Sequence, residues 1–95
     1  MHEQFSDEDR KNTLDVIEEH RDIEDRFTRY EYHMFEELID GLENEPNFFE
    51  ELDINQIDFF LDKIQYMHDY RVDAEEQKVL LRFLLYLIIK KAKLL

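Results

Sequence analysis

The sequence predicts an all-α fold: a small bundle of three main helices plus one short helical turn, with a long first helix. Apolar residues recur at spacings of three and four, which is the period of a buried helical stripe. The chain has only one Gly and one Pro, so residues that break helices are nearly absent. At 95 residues, it is expected to form a single helical domain over residues 1–95.

The first main helix is predicted at about residues 7–42. Ser6 is a good N-cap, and the acidic residues that follow it suit the positive end of the helix dipole. An apolar stripe then runs from Val16 through Ile23 and Phe27 to Leu42. No Gly or Pro interrupts it before Gly41, so one continuous helix of about 50 Å is expected.

The only strong turn signal pairs Gly41 with Pro46, and a short helix is predicted at about 46–52 with Pro46 at its first position. Asp53 and Gln56 then have the spacing of a capping box, which predicts a second main helix at about 54–71. Asp73 and Glu76 have the same capping-box spacing, which predicts a third main helix at about 74–93.

Charge is distributed unevenly along the chain, which carries a net charge of −13. All 25 acidic residues lie within residues 1–77, whereas residues 78–95 are basic and apolar. An acidic body repels the phosphates of nucleic acids, so no direct nucleic-acid binding is expected. The same charge attracts a protein partner with a basic surface.

Catalytic, cofactor-binding and metal-binding residues are not predicted. The chain lacks Cys, has a single Ser placed as a cap, and has no glycine-rich loop for phosphates. No His follows an acidic residue at the Glu-x-x-His spacing, and His20 and His33 are expected on solvated faces. The longest apolar run, 79–89, is shorter than the roughly 20 residues of a membrane span. With no apolar leader segment, a cytoplasmic location without membrane contact is predicted.

One carboxylate pattern carries an alternative function. Glu18, Glu19 and Asp22, followed by Glu37 and Asp40, resemble the paired acidic motifs of the MazG-type nucleotide pyrophosphohydrolases. The resemblance implies carboxylates on two antiparallel helices that hold Mg²⁺, a cation that prefers oxygen ligands. The alternative prediction is therefore a Mg²⁺-dependent enzyme of that class.

The third main helix is apolar over nearly its whole circumference, more than one buried stripe requires. Its apolar side chains must be covered by the chain's own core, by a second copy, by a different protein or by a membrane surface. Cover by a second copy predicts a homo-oligomer, most simply a homodimer. The residues expected at that interface are Leu80, Phe83, Leu84, Leu87 and Ile88.

The function predicted from these features is non-enzymatic: a small acidic regulatory protein that binds another protein through acidic helical surface. In its sharpest form it is an inhibitor that mimics DNA, with helical carboxylates standing in for phosphates. The residues expected to contact the partner are Asp15, Glu18, Asp22, Asp25, Glu36, Glu37 and Asp40.

Overall fold

A computed structural model describes residues 5–45 and 48–95 of the chain. The regular structure in these residues is all helical, with no strand, and the predicted all-α class is confirmed. The described residues form four α-helices: α1 (Asp7–Glu19), α2 (Arg29–Asn44), α3 (Ile54–Tyr70) and α4 (Ala74–Leu94). Two 3₁₀ helices, Arg21–Arg26 and Phe48–Glu51, precede α2 and α3.

The single first helix predicted at 7–42 is wrong, because the chain breaks between α1 and α2. His20 ends α1, and Thr28 begins α2 with a capping box in which Thr28 and Glu31 each accept the other's backbone N–H. The break lets the two helices pack against each other. A helix of about 50 Å would also exceed the longest dimension of the molecule, 35 Å.

Gly41 lies inside α2 and does not form the predicted turn, since the helix continues to Asn44. The φ angle of Gly41 is negative, so the backbone conformation at this position does not require a glycine. A Cβ at Gly41 would lie 2.3 Å from Cδ1 of Phe48, and the missing side chain therefore makes room for that ring. Pro46 is outside the described residues, and the short helix predicted at 46–52 is seen at Phe48–Glu51.

The capping boxes predicted for the last two helices are confirmed. Asp53 and Gln56 exchange hydrogen bonds at 2.9 and 2.8 Å, and α3 begins directly after Asp53. Asp73 and Glu76 do the same at 3.3 and 3.0 Å at the start of α4. Each N-cap side chain satisfies a backbone N–H that has no partner within the helix.

The core lies where α1 and α3 pack against α4 and α2 packs against α1. Its centre is aromatic and aliphatic, with Phe35, Phe60 and Phe83 fully buried. Ile23 in the first 3₁₀ helix and Leu52 before α3 also join the core, so both connections are held by buried side chains. Among the described residues, no helix has the length and hydrophobicity needed to span a membrane.

Candidate acidic interaction surface

The seven acidic residues predicted to contact a partner lie on three consecutive elements. Asp15 and Glu18 are on α1, Asp22 and Asp25 are in the first 3₁₀ helix, and the other three are on α2. Six of the seven are exposed, and Glu36 is half-buried. Because α1 and α2 pack against each other, these acidic residues lie on two adjacent helices and their connection, and not along one continuous helix.

Arg21 joins the two helices on either side of that break. Its Nη1 donates to Glu18 at 3.0 Å, and its Nη2 donates to Glu36 at 2.6 Å. Ion pairs with a guanidinium are directional and hold both carboxylates in place. Glu18 and Glu36 are thus brought together, and both carboxylates share the single positive charge of Arg21.

Asp22 is likewise paired inside the molecule, with Arg71 at the end of α3. The hydrogen bond from the Arg71 guanidinium holds the pKa of Asp22 below its ordinary value, and the same contact raises the pKa of Arg71. Opposite charge favours the ionised form of each partner. Asp22 therefore fastens the first 3₁₀ helix to α3 and is less available to a cationic partner.

Glu37 and Asp40 line an open hollow between α2 and the start of α3, with a volume of about 230 Å³. Two further acidic residues, Glu45 and Glu51, stand around it. Its remaining lining residues are apolar or neutral: Phe48, Leu52 and Gln56. We call this feature the acidic hollow.

The acidic hollow has four carboxylates in its lining and no Lys, Arg or His. Among the described residues, the only three or more metal-ligating side chains whose ligand atoms gather within 4.8 Å of one another lie elsewhere. No three carboxylates of the hollow bring their oxygens this close together in the described residues. They can instead surround a larger cation that carries several hydrogen-bond donors.

Sequence reasoning identified Glu37 and Asp40 but missed Glu45 and Glu51. Glu45 caps the end of α2, and Glu51 lies in the second 3₁₀ helix. These two reach the hollow because the connection to α3 folds against α2, with the Phe48 ring seated over Gly41. The Gly41 to Pro46 turn signal marked this connection, but periodicity does not indicate where a loop side chain points.

The five carboxylates that resemble the paired motifs of the MazG-type enzymes do not form one cluster. Glu19 lies beside Glu76 of α4, and Asp22 is paired with Arg71. Glu37 and Asp40 belong to the acidic hollow. The geometry that a shared Mg²⁺ would need is therefore absent among these described residues.

A second cluster joins Glu19 and His20, at the end of α1, to Glu76 in the first turn of α4. Nε2 of His20 lies 3.1 Å from Oε1 of Glu76. Sequence reasoning missed the cluster because His20 and Glu76 are 56 positions apart and meet only through packing of α1 on α4. One imidazole and two carboxylates are a donor set that divalent transition metals accept.

Electrostatics differ between the two carboxyl groups of this cluster. The neighbouring carboxyl group of Glu76 raises the pKa of Glu19 above its ordinary value. Burial alone would raise the pKa of Glu76, but hydrogen bonds involving Glu19, His20 and the backbone of Asp73 lower it. Glu76 is therefore the carboxylate that keeps its charge, and Glu19 is the one that more readily takes a proton.

The residues predicted to form an oligomer interface are placed mainly inside the protomer. Leu80, Phe83, Leu84 and Leu87 are buried in the core formed with α1 and α3. Only Ile88 remains on the surface, with 51% of its area exposed. The first four are therefore covered by their own chain, and a contact with a second copy would have to use other residues.

No protein-family model, curated protein or solved structure was found to match the chain.

Proposed function

We propose that this is a small, non-enzymatic interaction protein that binds a partner with a basic surface, and that the acidic hollow receives a Lys or Arg side chain of that partner. One observation carries the proposal: four carboxylates surround a hollow that has apolar walls and no basic lining residue. Binding would remove the mutual repulsion of these carboxylates, since the incoming cation supplies the missing charge.

The chemistry of the lining suits a long basic side chain better than a small cation. Phe48 and Leu52 offer apolar contact to the methylene stem of Lys or Arg, which commonly packs on such surfaces. The carboxylates and the amide of Gln56 can accept hydrogen bonds from its head group. Arg suits the hollow best, because its guanidinium presents five donors in a fixed plane.

Acidic residues outside the hollow have a different role in the proposal. Asp15 and Asp25 are exposed on α1 and on the first 3₁₀ helix. Together with the net charge of −13, they attract a basic surface at long range and speed encounter. The hollow supplies short-range contacts, which control how long the complex lasts.

A charged peptide and its neutral counterpart test the hollow directly. Amide chemical shifts of the full chain are recorded while tetra-arginine is added, and then while tetra-citrulline is added. Citrulline keeps the length of Arg but has no positive charge. The proposal expects tetra-arginine to shift the amides around Glu37, Glu51 and Gln56 first, and tetra-citrulline to leave them in place. Shifts spread evenly over all acidic residues would contradict a specific site.

Two variants with equal charge separate capture by the hollow from long-range attraction. Glu37→Gln with Glu51→Gln removes two charges from the hollow, whereas Asp15→Asn with Asp25→Asn removes two from the outer surface. With an immobilised basic protein, the first variant is expected to speed dissociation and the second to slow association. Both rates are measured across a salt series, because screening weakens the outer contribution most. Equal effects of the two variants on both rates would contradict this division.

A more specific version of the proposal is that the protein is an inhibitor that mimics DNA, and this version requires a partner that also binds DNA. If carboxylates replace phosphates, the basic partner must use the same surface for this protein and for a duplex. Duplex DNA should then displace the protein from its partner in competition binding. Binding that depends on salt but resists competition by DNA would keep the acidic interface and remove the mimic.

A further inference from the structure

Glu19, His20 and Glu76, which we call the inter-helix cluster, bring three metal-ligating side chains together where α1 ends and α4 begins. Each residue offers one ligand atom, and these atoms lie within 4.8 Å of one another. Nε2 of His20 and Oε1 of Glu76 are 3.1 Å apart. Two ligand atoms bound to one tetrahedral metal ion at about 2.1 Å are about 3.4 Å apart, so this pair already has nearly the required separation. The exposed Glu19 can complete the set by rotating its side chain.

The backbone holds the imidazole of His20 in position. The N–H of His20 donates to the carbonyl oxygens of Val16 and Ile17, both at 3.2 Å, and its own carbonyl accepts from the N–H of Ile23 at 3.3 Å. Val16, Ile17 and Ile23 are all buried in the core. His20 is therefore fixed at the junction of α1 and the first 3₁₀ helix, and its ring is half-buried against α4.

Glu76 is also oriented before any ligand arrives. The backbone N–H of Asp73 donates to Oε1 of Glu76 at 3.3 Å as part of the capping box. One turn further along α4, Leu80 is fully buried in the core. Hydrogen bonds of this kind orient carboxylate ligands in metal sites, and groups held in place lose less freedom when they bind.

The charge of the inter-helix cluster favours a divalent cation. An ion pair between a protonated His20 and Glu76 supplies one positive charge for two carboxylates, and Glu19 keeps the weaker share. The raised pKa of Glu19, caused mainly by the carboxyl group of Glu76, agrees with this imbalance. The negative end of the α1 dipole lies here too, and the last turn of α1 has no Lys or Arg to offset it.

The donor set selects the kind of ion. Mg²⁺ and Ca²⁺ prefer oxygen ligands alone, whereas an imidazole nitrogen suits transition metals. Zn²⁺ accepts both His nitrogen and carboxylate oxygen, and sites with three protein ligands take a water molecule in the fourth position. The acidic hollow offers no imidazole, so it does not compete on these terms.

We propose that Glu19, His20 and Glu76 bind one divalent transition metal ion, with Zn²⁺ as the best match, and that the ion fastens α1 to α4. His20 and Glu76 are 56 positions apart, so only the folded chain presents the ligands together. Metal binding therefore stabilises the folded state. The proposal does not rest on binding at the acidic hollow, with which the cluster shares no residue.

Calorimetric titration with ZnCl₂ is the first test, on the full chain stripped of metal with EDTA and dialysed into excess Mg²⁺. The Mg²⁺ occupies weak carboxylate sites, which a chain with 25 acidic residues offers in number. Wild type is expected to bind one Zn²⁺ per chain. An absence of heat, or heat seen only without Mg²⁺, would overturn the proposal.

Two variants and two matched controls test the ligands. Glu76→Gln keeps the capping box, because Gln closes it as well as Glu does, and His20→Gln removes the imidazole. Each is expected to raise the Zn²⁺ dissociation constant at least about ten-fold, an effect that even outer-shell changes can reach. The controls are Glu75→Gln, in the same turn and exposed, and His33→Gln, exposed on α2. Far-UV circular dichroism checks that helix content is unchanged. Retained affinity in either ligand variant, or an equal loss in a control, would overturn the assignment.

The place of binding is read from amide spectra with paramagnetic Co²⁺ instead of Zn²⁺. The largest shifts are expected at residues 19–21 and 74–77. Shifts centred on Glu37 and Glu51 would mean that the metal enters the acidic hollow, which would overturn the proposal.

Thermal unfolding tests the link between the helices. Zn²⁺ is expected to raise the unfolding midpoint of wild type and of Glu75→Gln, and to leave that of Glu76→Gln in place. An equal rise in all three proteins would overturn the proposed connection.

Discussion

Arg82, near the middle of α4, donates two hydrogen bonds to Asp9 in the first turn of α1, from Nε and from Nη2, both at 2.9 Å. Asp9 also completes the capping box of α1 by accepting the backbone N–H of Ser6. The Arg82 guanidinium is the main cause that lowers the pKa of Asp9 from its ordinary value of 3.8. One carboxylate therefore both starts the first helix and ties it to the last.

Asp9→Asn is expected to lower the free energy of unfolding at neutral pH, because it removes the charge that Arg82 faces. A carboxyl group with a lowered pKa stabilises the fold above its unfolded pKa, and loses that contribution as pH falls through the folded value. The difference in the free energy of unfolding between wild type and Asp9→Asn should therefore be present at pH 7 and shrink below pH 3.8. Urea unfolding at several pH values measures it. Asp7→Asn, an equal loss of charge in the same turn, is the control and should cost less.

Gly41→Ala is expected to destabilise the protein by about 1 kcal/mol. An overpacked core typically loses 1–3 kcal/mol, while replacing a helical Gly by Ala returns roughly 1 kcal/mol. The clash is with the Phe48 ring, 2.3 Å from the new Cβ, so Phe48→Ala should remove it. In that background Gly41→Ala should become stabilising. Urea unfolding of the four proteins forms a double-mutant cycle, and additive effects would contradict the contact.

Thr13→Val is expected to raise the free energy of unfolding by about 1 kcal/mol. Thr13 is 1% exposed, and its Oγ1 has no hydrogen-bond partner among the described residues. Replacing an unpaired buried hydroxyl by a methyl group of similar size removes a desolvation penalty. Thr13→Ser keeps the hydroxyl and loses the methyl, so it should destabilise. A loss of stability in Thr13→Val would mean that the hydroxyl is bonded in solution.

Glu19→Gln is expected to stabilise the protein at pH 7 but not at pH 4. The raised pKa of Glu19 means that its contribution is favourable at low pH and is lost as pH rises through the folded value. A Gln amide can donate to Glu76 at every pH, as the protonated acid does only at low pH. Urea unfolding at both pH values measures the difference. A gain of equal size at pH 4 would contradict the assignment of the raised pKa to Glu19.

Helix starts were predictable wherever their caps were recognised. Ser6, Asp53 and Asp73 are each followed three residues later by a side chain that closes the box, and three helices begin there. Thr28 and Glu31 have the same spacing, so the start of α2 was available from the sequence. The start of α2 was missed because Ile23, in the 3₁₀ helix, and Phe27, just after it, both pack in the core. The spacing of apolar residues in the sequence therefore continues without a gap between α1 and α2.

Only part of the candidate site could be predicted. A sequence shows which residues are acidic, but it does not show which of them form ion pairs within the chain. Glu37 and Asp40 were identified from the acidic character of α2, and both line the hollow. Which carboxylates are neutralised depends on Arg21 and Arg71, whose partners lie 15 and 49 positions away. Such contacts are fixed by tertiary packing, and local patterns carry no signal for them.

Packing of α1 against α4 joins the first helix to the last, and this has a consequence for folding kinetics. The four helix starts are specified within a few residues each, so helices can form early and independently. Closure of the first helix onto the last spans nearly the whole chain and is expected to come late. Its entropic cost grows only slowly with the length of the loop. The connections between the helices should therefore accept added residues with little loss of folding speed, provided that the caps and the buried positions of Ile23 and Leu52 are kept.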